Sequence, residues 1–179
     1  AALVEHNGKI SKSDLLNVIR TLYPFLKAEL FLKWKDSEIK AQVTEYVDAL
    51  AQANLIFVDD EDFIFSPAPN SEDHNQLAVL AAPVRQSLER YYMTLALITQ
   101  RGSGNISIRQ VEELSHLVGQ RLSVLYEFNS PEFFDKALFQ SFMKVLTEQG
   151  YIKTNEDHAI VFDEQFRNVA QYANLVLDD

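Results

Sequence analysis

Apolar side chains recur at helical spacing in two stretches that read as one unit written twice. In the first, Val43, Tyr46, Val47 and Leu50 share a helical face; in the second, Leu138, Phe142, Val145 and Leu146 do the same. Each stretch stops at a residue that tolerates a left-handed backbone, Asn54 or Gly150. Each then continues into two short apolar runs joined by a four-residue polar turn, Asp59–Asp62 or Asn155–His158. The pattern repeats at an offset of about 96 residues, counted from Leu50 to Leu146. Helix, helix end and hairpin form the closing half of a winged-helix module. The expected fold is mainly α with short β-hairpins (α+β), built as duplicated winged-helix-like units. Residues 1–67 form the first helical and hairpin unit, 68–74 a linker, and 75–179 the second unit.

Other signals fill this frame. Ser11-Lys-Ser-Asp14 is a capping pattern ahead of Leu15, Leu16, Val18 and Ile19. Pro24 restarts or kinks that helix, which then runs to about Trp34. Asp36 or Ser37 caps the next one. Ser66–Asp73 holds two prolines and no large apolar residue, so it reads as the linker. A long helix to about Gln100 buries Leu77, Leu80, Ala81, Val84, Leu88, Tyr91, Tyr92 and Leu95, with a kink at Pro83. Gly102-Ser-Gly104 breaks it, and Ser107 caps a helix with Val111, Leu114, Val118, Leu122 and Leu125 on its stripe. Ser130-Pro131-Glu132 reads as a further helix start. The last helix follows Asp163 and carries Phe166, Val169, Ala170, Ala173 and Leu177.

The stretch Pro24–Trp34 stands apart, because its apolar residues surround the axis instead of lining one side. Lys27, Glu29 and Lys33 are its only polar interruptions. A helix apolar on most sides is buried on most sides. Either the second repeat packs over it, or part of its face meets a surface outside this chain. The expectation is that at least one of Phe25, Phe31 and Trp34 stays substantially exposed.

Charge narrows the partners. The formal charge of −10 argues against polyanions, since nucleic acid binding rests on Lys and Arg displacing counterions from phosphates. The two turns agree: one is four consecutive acids, and the other reads Asn155-Glu156-Asp157. A broad anionic-membrane footprint is disfavoured for the same reason. The longest apolar run, Leu77–Val84, falls far short of the roughly 20 residues that span a bilayer, so no transmembrane segment is expected. The absence of cysteine excludes disulfides, thiolate metal sites and Cys nucleophiles. Beginning at Ala1 with no signal-peptide pattern, the chain reads as a soluble piece of something longer.

Candidate chemistry is sparse. His158-Ala-Ile-Val-Phe-Asp163 matches the His-x4-Asp spacing in which His acts as general base and Asp orients it. Along an extended strand, however, five residues span roughly 16 Å, which separates the pair. His6, His74 and His116 lack a second His four residues away, so the zinc helix motif is missing. Asp59–Asp62 lacks the Gly and closing Glu of a calcium loop. Phosphate-binding glycine loops and the Gly-x-Ser-x-Gly elbow are also missing. No catalytic residue, metal ligand or cofactor is therefore assigned. Lys9, Lys12, Lys27, Lys33, Lys35 and Lys40 concentrate in the first 40 residues; this reads as a solvated helix face in preference to a dock for an acidic carrier protein.

Two strings carry a resemblance. Leu22-Tyr-Pro-Phe-Leu-Lys-Ala-Glu-Leu-Phe-Leu32, and Gln120-Arg-Leu-Ser-Val-Leu125 with Ser130-Pro-Glu-Phe-Phe-Asp-Lys136, resemble the C-terminal region of bacterial membrane-bound glycerol-3-phosphate acyltransferases. The likeness extends over nearly the whole chain, including Gly150-Tyr151-Ile152. It implies a parent enzyme that moves a fatty acyl group from acyl-acyl carrier protein or acyl-coenzyme A to the first hydroxyl of glycerol 3-phosphate. That would be the first committed step of phospholipid synthesis, on the cytoplasmic side of the bacterial inner membrane. The family's His-x4-Asp and phosphate-binding motifs lie in the upstream catalytic half, and His158–Asp163 is not the matching position. The resemblance thus implies a non-catalytic accessory domain whose partner is that upstream half, with Phe25, Phe31 and Trp34 as the possible interface. The alternative is a stand-alone winged-helix-like protein-interaction module.

Overall fold

A computed structural model of the chain describes residues 9–126 and 135–175. In chain order the elements are β1 (Ile10–Ser11), α1 (Lys12–Leu30), α2 (Asp36–Gln52), β2 (Phe57–Val58), β3 (Phe63–Phe65), α3 (Glu72–Arg101), α4 (Ile108–Tyr126), α5 (Lys136–Glu148), β4 (Ile152–Thr154), β5 (Ile160–Phe162) and α6 (Glu164–Leu175). The fold is mainly helical with two small antiparallel sheets, as the pattern implies.

The repeat read from the sequence recurs in the backbone hydrogen bonds, again 96 residues apart. At the helix ends, Leu55 N–H donates to Leu50 O (3.0 Å), and Tyr151 N–H donates to Leu146 O (2.9 Å). Asn54 and Gly150 both take positive φ, +58° and +77°. In the turns, the Asp59 carboxylate accepts from the Glu61 and Phe63 amides, while the Asn155 side-chain oxygen accepts from Asp157 and Ala159. Asp62 and His158 occupy the matching left-handed positions, at +63° and +58°. The openings correspond as well. Ser11 pairs with Phe63 and caps α1 by accepting from Asp14 N–H; Ser107 bridges to Ala159 and caps α4 by accepting from Gln110 N–H.

Two apolar cores result. The smaller gathers Val47, Leu55, Ile56, Ile64 and Leu77 in the first half. The larger draws Val18, Leu22 and Phe25 of α1 together with Leu88, Tyr91, Leu95 and Ile98 of α3, Phe142 and Leu146 of α5, Ile152, Ile160, and Phe166 and Val169 of α6. Helix α1 packs on α5 and α6, so the second repeat covers most of the helix that looked apolar all round.

Several sequence expectations are corrected. Helix α1 ends at Leu30, short of Trp34, because Phe31 turns left-handed (φ +53°) and the Trp34 carbonyl is drawn back by Tyr23 Oη (2.9 Å) and Lys27 Nζ (2.8 Å). Pro24 lies inside α1 without restarting it, since burial of Leu22, Tyr23 and Phe25 on either side outweighs its helix penalty of about 3 kcal/mol. The cap of α2 is Lys35, whose N–H donates to the Glu38 carboxylate (2.7 Å), in place of Asp36 or Ser37. On α3, Leu80 and Tyr92 are exposed and Ile98 is buried, because Ile98 joins the larger core while Leu80 and Tyr92 belong to neither. Tyr46 of α2 also faces out. Helix α5 starts from Asp135, which caps Ala137 N–H (2.7 Å); the Ser130–Pro131–Glu132 start lies outside the described residues, as does Leu177.

Candidate functional site

The C-terminal end of α1 separates the three candidate interface residues. Phe25 is 2% exposed and sits among the rings of Phe142 (5.1 Å between centroids), Tyr91 (6.0 Å) and Tyr151 (6.1 Å). It belongs to this chain's own core and offers nothing to an outside surface, which corrects its place among the interface candidates. Phe31 is 91% exposed. Its left-handed backbone swings the ring off the end of α1, past the last helical turn that the second unit covers. Trp34 is half-buried and meets Tyr46 edge-on at 6.0 Å. The exposed end of the apolar helix therefore presents Phe31, flanked by Leu30 and by Trp34 on Tyr46.

One turn earlier lies a polar cluster that the sequence did not bring out. Glu29, one of the three polar interruptions of the apolar stretch, is nearly buried and forms an ion pair with Arg90 of α3. Ser87 Oγ donates to the same carboxylate at 2.5 Å and Tyr91 Oη at 2.6 Å; Tyr91 Oη also approaches the Phe25 carbonyl (3.2 Å). Burial alone would push the Glu29 carboxyl up. The bonds from Ser87, Tyr91 and Arg90, with the guanidinium charge, outweigh it and hold the carboxyl below its ordinary value. The Tyr91 phenol is pushed up by burial and by the adjacent carboxylate. The available signal was the spacing: Ser87, Arg90 and Tyr91 at i, i+3 and i+4 lie on one face of α3, so a lone acid opposite them can be satisfied without water.

Beyond Arg90 opens a cleft of about 290 Å³ lined by Met93, Thr94, Ser115, His116 and Phe139, among others, with the Lys136–Glu112 ion pair (2.5 Å) at its edge. His116 engages Gln120 at 2.9 Å. His158 and Asp163 are not brought together by any hydrogen bond or ion pair. His158 holds the left-handed corner of the β4–β5 turn, and Asp163 accepts from Gln165 N–H (2.9 Å) at the start of α6. His74 lies in the first turn of α3, where its N–H donates to the Ser71 cap, and His6 is outside the described residues. Three of the N-terminal lysines are occupied within the chain: Lys12 with Asp62 (2.8 Å), Lys27 with the Trp34 carbonyl, and Lys9 over the Phe63 ring (4.0 Å). No group of three or more His, Asp or Glu among the described residues is arranged to hold a metal ion, and no helix among them is long and apolar enough to cross a membrane.

The chain is similar to glycerol-3-phosphate acyltransferases of Pseudomonas aeruginosa (35% identity) and Pseudomonas fluorescens Pf-5 (33%), over 97% of its own length but 21% of theirs. A third relative, from Ectopseudomonas mendocina, is 35% identical over 87% of this chain and 19% of its own. The chain spans about a fifth of the length of the curated relatives it matches. Residues 1–155 match the family described as glycerol-3-phosphate acyltransferase C-terminal region, and the chain belongs to that family. No solved structure matches it.

Proposed function

We propose that this region is a non-catalytic accessory domain that braces the catalytic part of a glycerol-3-phosphate 1-O-acyltransferase. The parent would acylate the first hydroxyl of glycerol 3-phosphate from acyl-acyl carrier protein or acyl-coenzyme A, feeding phospholipid synthesis as a peripheral enzyme on the cytoplasmic face of the inner membrane. In this reading the chain comprises the winged-helix-like units 1–67 and 75–179, joined by 68–74. The observation that carries it is Phe31, a phenylalanine 91% exposed at the end of a helix whose own aromatics, Tyr23 and Phe25, are buried. Exposed aromatics at the end of a buried helix mark a surface made for another protein surface. The same reading is supported by the places of His158, at the left-handed corner of a turn, and of Asp163, whose side chain accepts from Gln165 N–H.

Phe31→Asp tests this reading. In the 179-residue chain it should leave the melting temperature nearly unchanged, as for an exposed site, within about 0.5 kcal/mol. In the full-length polypeptide it should lower acyl transfer. Turnover by the 179-residue chain alone, or full activity of the Phe31→Asp enzyme, would overturn the proposal. The alternative, a stand-alone interaction module, predicts that the upstream part is indifferent to Phe31 and does not bind the separate region.

A further inference from the structure

The buried stripe of α3 continues past the point where anything in the described structure covers it. Ser87, Leu88, Tyr91, Leu95 and Ile98 are buried against the larger core, and Leu77 against the smaller. Leu80 lies seven residues from Ser87, hence on the same face and about 10 Å along the helix. It is nevertheless 60% exposed, and its neighbour Val79 is 71% exposed. Where the two helices touch, Glu29 meets Ser87 and Arg90 while Phe25 meets Tyr91, so α1 runs antiparallel to α3 there and ends at Leu30, level with Ser87 and short of Leu80. Phe31 stands at that stopping point. Past it along α3, Val79 and Leu80 are left open in the gap between Leu77 of the smaller core and Val84, which packs on the larger.

The surrounding sequence says what kind of partner fits. Asn75–Val84 contains no charged residue, in a chain that is 23% charged, whereas solvated helix faces carry charge. A lipid surface would call for Lys and Arg beside the apolar face together with aromatic anchors. Here the preceding turn is Glu72-Asp73, the one cation between it and Arg90 is Arg85, which pairs with Glu89, and the one aromatic nearby, Phe31, comes from the end of α1. A second copy would need roughly 800 Å² on each partner for a stable dimer, far more than Leu30, Phe31, Val79 and Leu80 supply. A segment tethered in the same polypeptide needs much less, because the tether raises its effective concentration. The relatives carry about four-fifths of their length outside the matched span.

We infer that the Val79–Leu80 face of α3 is a second docking surface for the upstream part of the same polypeptide, which inserts an apolar segment into the gap beyond the end of α1. This rests on the accessory-domain reading and extends it from α1 to α3. The absence of native cysteine in the chain makes the test direct. Val79→Cys, Phe31→Cys and Glu156→Cys are introduced singly, in the 179-residue chain and in the full-length polypeptide. Maleimide labelling of the peptide carrying each position is then followed by mass spectrometry. Position 79 should label about tenfold more slowly in the full-length protein, a docked fraction near nine-tenths. Position 156, in the β4–β5 turn, should label equally in both. Adding Leu80→Lys to Val79→Cys should restore fast labelling. Equal labelling of position 79 in the two proteins overturns the inference; if position 31 is still protected there, the α1 interface survives without it, and if neither is protected both fall. Slowing of position 79 in the 179-residue chain by phosphatidylglycerol vesicles, or by raising its own concentration, would also overturn the inference, in favour of lipid or a second copy.

Discussion

Glu29→Ala should be among the most costly single substitutions in this chain. The side chains of Glu29 and Arg90 are 11% and 6% exposed, so removing the carboxylate leaves an enclosed guanidinium without its counter-charge, takes the acceptor from Ser87 Oγ and leaves Tyr91 Oη the longer bond to the Phe25 carbonyl. Breaking a buried pair from one side costs about 3–5 kcal/mol, because the remaining charge keeps its desolvation penalty. For a chain of this size each kcal/mol lowers the melting temperature by about 2–4 °C, giving a loss of about 6–20 °C. Urea denaturation of the 179-residue chain measures the free energy, and a cycle with Arg90→Ala separates the pair from its surroundings. The double variant should be much less unstable than the two single losses added together, with a coupling of about 1 kcal/mol or more. The pH dependence carries the sign. Glu29 is held below its ordinary value, so its contribution is complete above about pH 4.3 and is lost as pH falls from there through the lowered native value. The stability gap between the native chain and Glu29→Gln should therefore narrow on acidification. A Glu29→Ala loss under about 1 kcal/mol, or a gap that widens in acid, would refute the buried-pair reasoning.

Phe25→Ala should destabilise the 179-residue chain by about 3–5 kcal/mol, the reverse of Phe31→Asp, and thermal denaturation of the two side by side checks which ring is core. Asp59→Ala and Asn155→Ala each remove one side-chain oxygen that accepts from two backbone amides, so both should cost about 1–2 kcal/mol in urea titrations; a large loss at one site and none at the other would break the equivalence of the repeats.

What the sequence determined by itself was everything written in local chemistry. Helical spacing, the tolerance of Asn54 and Gly150 for positive φ, and the acceptors Asp59 and Asn155 act within a few residues of themselves, so the repeated units were legible before any packing was known. The caps at Ser11 and Ser107 belong to the same class. Tertiary structure decided what depends on residues far apart. Pro24 stays within α1 because distant parts of the fold bury its neighbours. Phe25 and Phe31, six positions apart on one apolar stretch, part company because α5 covers the first and nothing in the described structure covers the second. Glu29 was only a polar interruption in the sequence and became the centre of an ion pair, since Arg90, sixty-one residues away, approaches only once the fold brings the end of α1 onto α3. Periodicity reports which side of a helix prefers to leave water; how far along its length a neighbour reaches, and so which apolar residues remain open to another surface, is settled only when the helices pack.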